Sequence, residues 1–308
     1  MTYRLGNLVQ HVAVIATLLF ITTTTHAQST GELRADASRE RSRIALDIGI
    51  YTHSGGFLST RSATFVQPSL DVNLDLLSVS PELSFSLDLT LRTMVAYFAA
   101  SERTMEDSTY YRAGNGYLGV RVAIRAIEGL RVRAGFGVVT PFLNAYHEDP
   151  GPFILSLGQL PNAGWDPWLT WRGMLPGVLR ADIEYRHPLV FVGLETAMAF
   201  GPVVTSDYEG SVFGAQVALW AGVRPIPELA IGLRAHAVMS DFPRTARSDG
   251  IAPYGFGALT PFVRGEFGDA FVESRFVINV ADNDWTRFAG EKSWGLYFVG
   301  GFNFAVAE

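Results

Sequence analysis

Residues 69–76 run Ser69, Leu70, Asp71, Val72, Asn73, Leu74, Asp75, Leu76. Every second side chain is apolar and those between are polar or acidic. Wound into a helix, this stretch would scatter its aspartates through the apolar side; extended, it sorts them onto one face. The same period of two appears upstream, where Ile44, Leu46, Ile48 and Ile50 alternate with Ala45, Asp47, Gly49 and Tyr51. Downstream, Leu83, Phe85, Leu87, Leu89 and Leu91 alternate with Ser84, Ser86, Asp88, Thr90 and Arg92. Continuing along the chain predicts further strands near 115–126, 129–140, 177–187, 189–202, 210–224, 228–240, 254–267, 270–281 and 293–306. With the segments at 43–53, around 69–76 and at 82–98, that makes twelve.

The connections between these segments alternate in length. Tight turns are expected at 78–81, 127–128, 187–188, 225–227 and 268–269, and long polar segments at 54–63, 99–114, 141–176, 203–209, 241–253 and 282–292. A soluble sandwich has no reason to sort its connections this way. A closed up-and-down antiparallel barrel does, because one end carries turns and the other carries loops, and an even strand count brings both termini to the turn end.

Composition narrows the class. The 308 residues include no cysteine, which removes disulfides, thiolate metal sites and cysteine nucleophiles. Hydrophobic residues make up 48% of the chain, and the formal net charge of −6 offers no broad basic surface for nucleic acid. The N-terminus carries Arg4, an apolar run from Val12 to Ile21, and a loose small-x-small site at Thr25, His26 and Ala27. This reads as a secretory signal over 1–27, too short to be a spanning helix. Residues 28–42, mixed in charge, are expected to form a periplasmic tail, and 43–308 the barrel.

The alternation also shows which face meets lipid. The polar face carries Asp71, Asp75, Asp88, Arg92, Arg121, Arg131, Arg133, Arg180, Asp182, Glu184, Glu195, Arg234, His236, Glu266, Glu273 and Arg275, interleaved with Gly119, Gly135, Gly193 and Gly232. Opposed charges and small residues suit a crowded interior, and closing the sheet satisfies every backbone group in hydrocarbon. These residues are therefore expected to line the lumen, with the apolar face turned outward. Tyr97, Phe200 and Trp294 at one rim, and Tyr185, Phe271, Phe302 and Phe304 at the other, are expected to form aromatic girdles.

With this pattern the chain resembles Gram-negative outer-membrane β-barrels of the porin-like kind, from about Arg43 onward. Trp294, Leu296, Phe298, Phe302 and Phe304 alternate in the last strand and resemble the signal such proteins present to the barrel-assembly machinery, although Ala305, Val306, Ala307 and Glu308 follow where the family ends on an aromatic. The resemblance implies location in the outer membrane and two partners, its lipid and the assembly machinery. In porins the third external loop commonly folds inward. The segment 141–176 is third in this count and carries Trp165, Trp168 and Trp171, read either as a constriction or solute platform or as packing at the rim.

Residues for chemistry are sparse. Thr52, His53, Ser54, Gly55 and Gly56 lack the asparagine that follows serine in the barrel phospholipases, and read as a polar strand end. His236 reads as a hydrogen-bonded filler beside Arg234. His147, with Glu148 and Asp149, has no second histidine to complete a zinc set. No catalytic residue, metal or cofactor is expected. Arg125, Arg131, Arg133, Arg186 and Arg224 fall near the tight turns as a basic belt, with Glu128, Glu184 and Glu228 close enough to neutralise part of it. The expected function is a narrow passive channel for small polar solutes, slightly favouring anions. The alternatives are a structural or surface-binding barrel with an occluded lumen and, more weakly, a lipid-modifying enzyme.

Overall fold

The computed structural model describes residues 42–54, 61–80, 82–100, 108–140, 166–170, 174–202, 211–241, 254–280 and 294–304. The expected signal over 1–27, nearly all of the expected 28–42 tail, most of the 141–176 segment with Trp165 and Trp171, His147, and Ala305 to Glu308 lie outside these residues.

Twelve antiparallel strands close into one barrel, each paired with its neighbours in sequence and the first with the last. They are β1 Ser42–Ser54, β2 Arg61–Ser80, β3 Leu83–Ala100, β4 Ser108–Ile127, β5 Leu130–Thr140, β6 Gly177–Arg186, β7 Val190–Pro202, β8 Ser211–Ile226, β9 Leu229–Asp241, β10 Tyr254–Phe267, β11 Ala270–Asn279 and β12 Trp294–Phe304. Closure by β1 and β12 runs from Ser42 opposite Phe304 to Thr52 opposite Trp294, so no sheet edge is left exposed.

Three strands are longer than alternation alone indicates. β2 begins at Arg61 and β4 at Ser108, inside segments read as loops, while β3 runs on to Ala100. Backbone pairing continues past the point where an apolar face is needed, so hydrophobic alternation stops before the ladder does.

The sorting of faces is clear in β8, where Leu219 is 54% exposed and its neighbour Ala218 only 1%. Leu118, Val120, Phe136, Leu179, Met198, Leu233 and Phe298 are likewise exposed on the outer wall. In water such a surface would cost roughly 1.5–3 kcal/mol per large side chain relative to burial; against acyl chains it costs nothing. Tyr185, Phe200, Trp294 and Phe302 point outward, as girdle residues must. Phe304 is half-buried, and the side chain of Tyr97 lies outside the described residues.

Phe271 departs from the girdle expectation: it is buried and faces inward. It shares the parity of Glu273 and Arg275, so a strand that points those charges into the lumen must point Phe271 there too.

Candidate functional site: the charged lumen

All sixteen polar residues expected on the inner face lie on it, at alternate positions of their strands. Most of them fall into two groups of ion pairs on opposite walls. On the wall of β3 to β6, Arg121 pairs with Asp88 at 2.7 Å and reaches Asp182 at 3.9 Å. Arg133 also holds Asp182, at 2.6 Å, while Arg131 and Arg186 share Glu184 at 2.6 and 2.7 Å. Antiparallel register produces these pairs, since Arg131 stands directly opposite Glu184 and Arg133 opposite Asp182.

On the wall of β7 to β1, Arg234 pairs with Glu195 at 3.3 Å. Arg264 bridges Glu266 at 3.0 Å and Glu273 at 3.7 Å, and Arg224 adds a contact to Glu266 at 3.4 Å. Arg275 makes a short hydrogen bond to Glu273 and reaches Asp47 at 3.8 Å. Of the remaining expected residues, Arg92 and His236 are buried. Asp75 accepts a bond from Ser78, and Asp71 sits opposite Ala45 of β1 and Thr90 of β3.

Nearer the long-connection end, the described part of the 141–176 segment enters the barrel. A single 3-10 turn, Pro167–Thr170, leaves Trp168 fully buried against Tyr117, Val139, Met174, Val178, Ala199 and Val212. The turn is latched by Asp166. Its backbone N–H donates to Gln216 Oε1 at 2.8 Å, its Oδ1 accepts from Gln216 Nε2 at 2.9 Å and from Arg180 Nη2 at 3.0 Å, and its carbonyl accepts from Leu169 N–H at 3.1 Å. Asn115 Nδ2 donates to the Trp168 carbonyl at 3.1 Å. The Arg180 guanidinium lies 4.3 Å from the Tyr117 ring centroid and 5.7 Å from that of Trp168, a cation–π contact of about 0.5–2 kcal/mol. Asp166 has φ of 51°, the left-handed region, so this set of bonds holds a backbone conformation that costs roughly 1 kcal/mol or more for a non-glycine residue.

Tyr117 can lie under the turn because the wall beneath it is glycine. A Cβ at Gly137 would come within 2.5 Å of the Tyr117 ring, and one at Gly119 would collide with its hydroxyl.

Reading the sequence missed several participants. Arg264 and Asp47 share the parity of recognised lumen residues and were open to detection that way. Asp166 lies in the segment 141–176 expected to be a long polar connection; its partners Gln216 and Arg180 are 50 and 14 residues distant, and no local pattern links them.

No protein-family model and no curated protein matches this sequence. Among solved structures, the barrel is similar to an outer-membrane channel of Pseudomonas putida F1, with a TM-score of 0.63 and 12% identity over 86% of this chain and 96% of that one. Weaker likenesses include the translocator domain of the autotransporter NalP of Neisseria meningitidis, with a TM-score of 0.44 and 8% identity over 97% of this chain and 98% of that one. A loop-deleted form of OmpT of Vibrio cholerae gives a TM-score of 0.41 and 8% identity over 85% of this chain and 98% of that one. The likeness is one of fold, and the fold is that of an outer-membrane β-barrel.

Proposed function

We propose that the protein is a narrow passive channel for small polar solutes, with a modest preference for anions. The reading rests on one observation: along the wall of β4 to β6 the guanidiniums cover the carboxylates that pair with them. The side chains of Arg131 and Arg133 are each 22% exposed, whereas those of Glu184 and Asp182 are each 7% exposed. Water in the lumen therefore meets positive charge there even though the pairs are formally balanced, and fixed charge facing the path tunes which ions pass. On the other wall the layering is reversed at Glu195 and Glu266, which are more exposed than the arginines they pair with. That reversal limits the preference to a modest one. The proposal includes delivery by a cleavable signal over 1–27, recognition of β12 by the barrel-assembly machinery, and no catalytic role.

A second reading, an occluded barrel with a structural or surface-binding role, is favoured by the complete burial of Trp168 inside the wall of β4 to β8. Planar-bilayer recording separates the two. Purified, folded protein is expected to give discrete conductance steps, larger when Pro167–Thr170 is replaced by a short glycine-serine linker. A silent bilayer with both proteins refutes the channel. Steps that appear only in the linker variant favour the occluded barrel.

A further inference from the structure

Where the 3-10 turn docks, the inner face changes from charged to apolar. Val139, Val178, Ala199 and Val212 share the inward parity of Arg133, Arg180, Glu195 and Gln216 on their strands, yet all four are buried in one cluster with Trp168. Register sets two polar donors beside this patch. Arg180 of β6, Ala197 of β7 and Gln216 of β8 stand in one row across the sheet, and Val178, Ala199 and Gly214 form the next inward row. The small side chain of Ala197 leaves space between the donors, and one carboxylate fills it. Asp166 Oδ1 accepts from Arg180 Nη2 at 3.0 Å and from Gln216 Nε2 at 2.9 Å. Two residues further on, the Trp168 indole enters the apolar patch, its ring centroid 5.7 Å from the Arg180 guanidinium.

The turn thus offers the wall a carboxylate and an aromatic ring side by side, and the wall meets each with matching chemistry. Its bonds to Arg180, Gln216 and Asn115 are all made by wall side chains, so releasing them breaks no strand pairing. A guest that takes the turn's place must satisfy the same groups. Arg180 is a buried cation, and a neutral guest would strand it without a partner, whereas a carboxylate exchanges one anion for another. A carboxylate with no ring would leave the apolar patch open to water.

We infer that the turn is a tethered stand-in for a solute: Arg180, Gln216 and the apolar patch form a binding site for a small aromatic carboxylate, which enters by displacing Asp166 and Trp168. The site deepens the channel reading, on which it rests for its role, by naming the class of anion favoured. The docked turn is then the competitor that the solute must displace.

Calorimetric titration of the folded, detergent-solubilised protein with 3-phenylpropionate tests this, with 3-phenylpropanamide and acetate as the uncharged and ringless controls. Asp166→Ala, which removes the competing carboxylate, is expected to bind 3-phenylpropionate roughly tenfold or more tightly than the unaltered protein. Trp168→Ala, which vacates the apolar patch, serves if Asp166→Ala does not fold. Both controls are expected to bind the same variant roughly tenfold or more weakly than 3-phenylpropionate. Adding Arg180→Gln is expected to abolish the binding, and Gln216→Leu, which removes the second donor, serves if that protein does not fold. No binding of 3-phenylpropionate by either turn variant, affinity equal to that of the unaltered protein, or equal affinity for either control overturns the inference. The titration needs no conductance. A silent bilayer with tightened binding in Asp166→Ala would remove the channel and leave the site, and conductance without that binding would do the reverse.

Discussion

Asp166 latches the Pro167–Thr170 turn to the lumen wall. Its carboxylate is shared by Arg180 and Gln216, and its left-handed backbone aims the following turn at Tyr117. Removing one partner of a buried charged pair costs about 3–5 kcal/mol. Asp166→Ala is therefore expected to undock the turn and leave the barrel closed, because none of the bonds involved belongs to the strand ladder. Single-channel conductance should rise in Asp166→Ala and rise less in Asp166→Asn, which keeps an acceptor and loses the charge; identical conductance in all three proteins would show that the turn does not obstruct the path. At the wall beneath, Gly137→Ala must displace Tyr117 and meets the Leu118 carbonyl as well. Overpacking of this kind costs about 1–3 kcal/mol, which urea unfolding from lipid vesicles would register. An unchanged midpoint would mean that Tyr117 relocates freely.

At the scale of the strand, parity governs what each residue meets. Leu219 lies in the middle of β8 and faces outward, beside the inward Ala218. Arginine on the lipid face at the bilayer midplane costs about 2–4 kcal/mol, so Leu219→Arg is expected to lower folding stability in vesicles by that amount. A loss below about 1 kcal/mol would place Leu219 near an interface or in the lumen.

Parity is also why so much of the fold was legible in the sequence. Leu70, Val72 and Leu74 against Asp71, Asn73 and Asp75 fix a strand and its faces without reference to any other residue, and twelve such segments with alternating turns leave one closed architecture. Phe271 was misplaced by ranking aromatic character above the parity it shares with Glu273. The long starts of β2 and β4 were missed because backbone pairing there continues where hydrophobic alternation in the sequence stops. Asp166, Asn115 and Gln216 were illegible for a different reason: their meeting depends on a loop entering the barrel, and sequence proximity carries no information about that.

Over the whole molecule, two environments are separated by one layer of backbone, acyl chains outside and a lumen of paired charge inside. Guanidiniums overlie carboxylates on one wall and the order reverses at two positions on the other, so the proposed channel would present a positive but small net field along its path. Mobile ions screen such a field over about 10 Å at 0.1 M salt and about 3 Å at 1 M, and the anion preference should fade over that range. The most direct measurement is the zero-current potential across a planar bilayer containing the purified protein in a potassium chloride gradient. The arginine-over-carboxylate lumen predicts a sign corresponding to chloride passing more readily than potassium, diminishing as both solutions are made more concentrated. A potential of the opposite sign at low salt would contradict it.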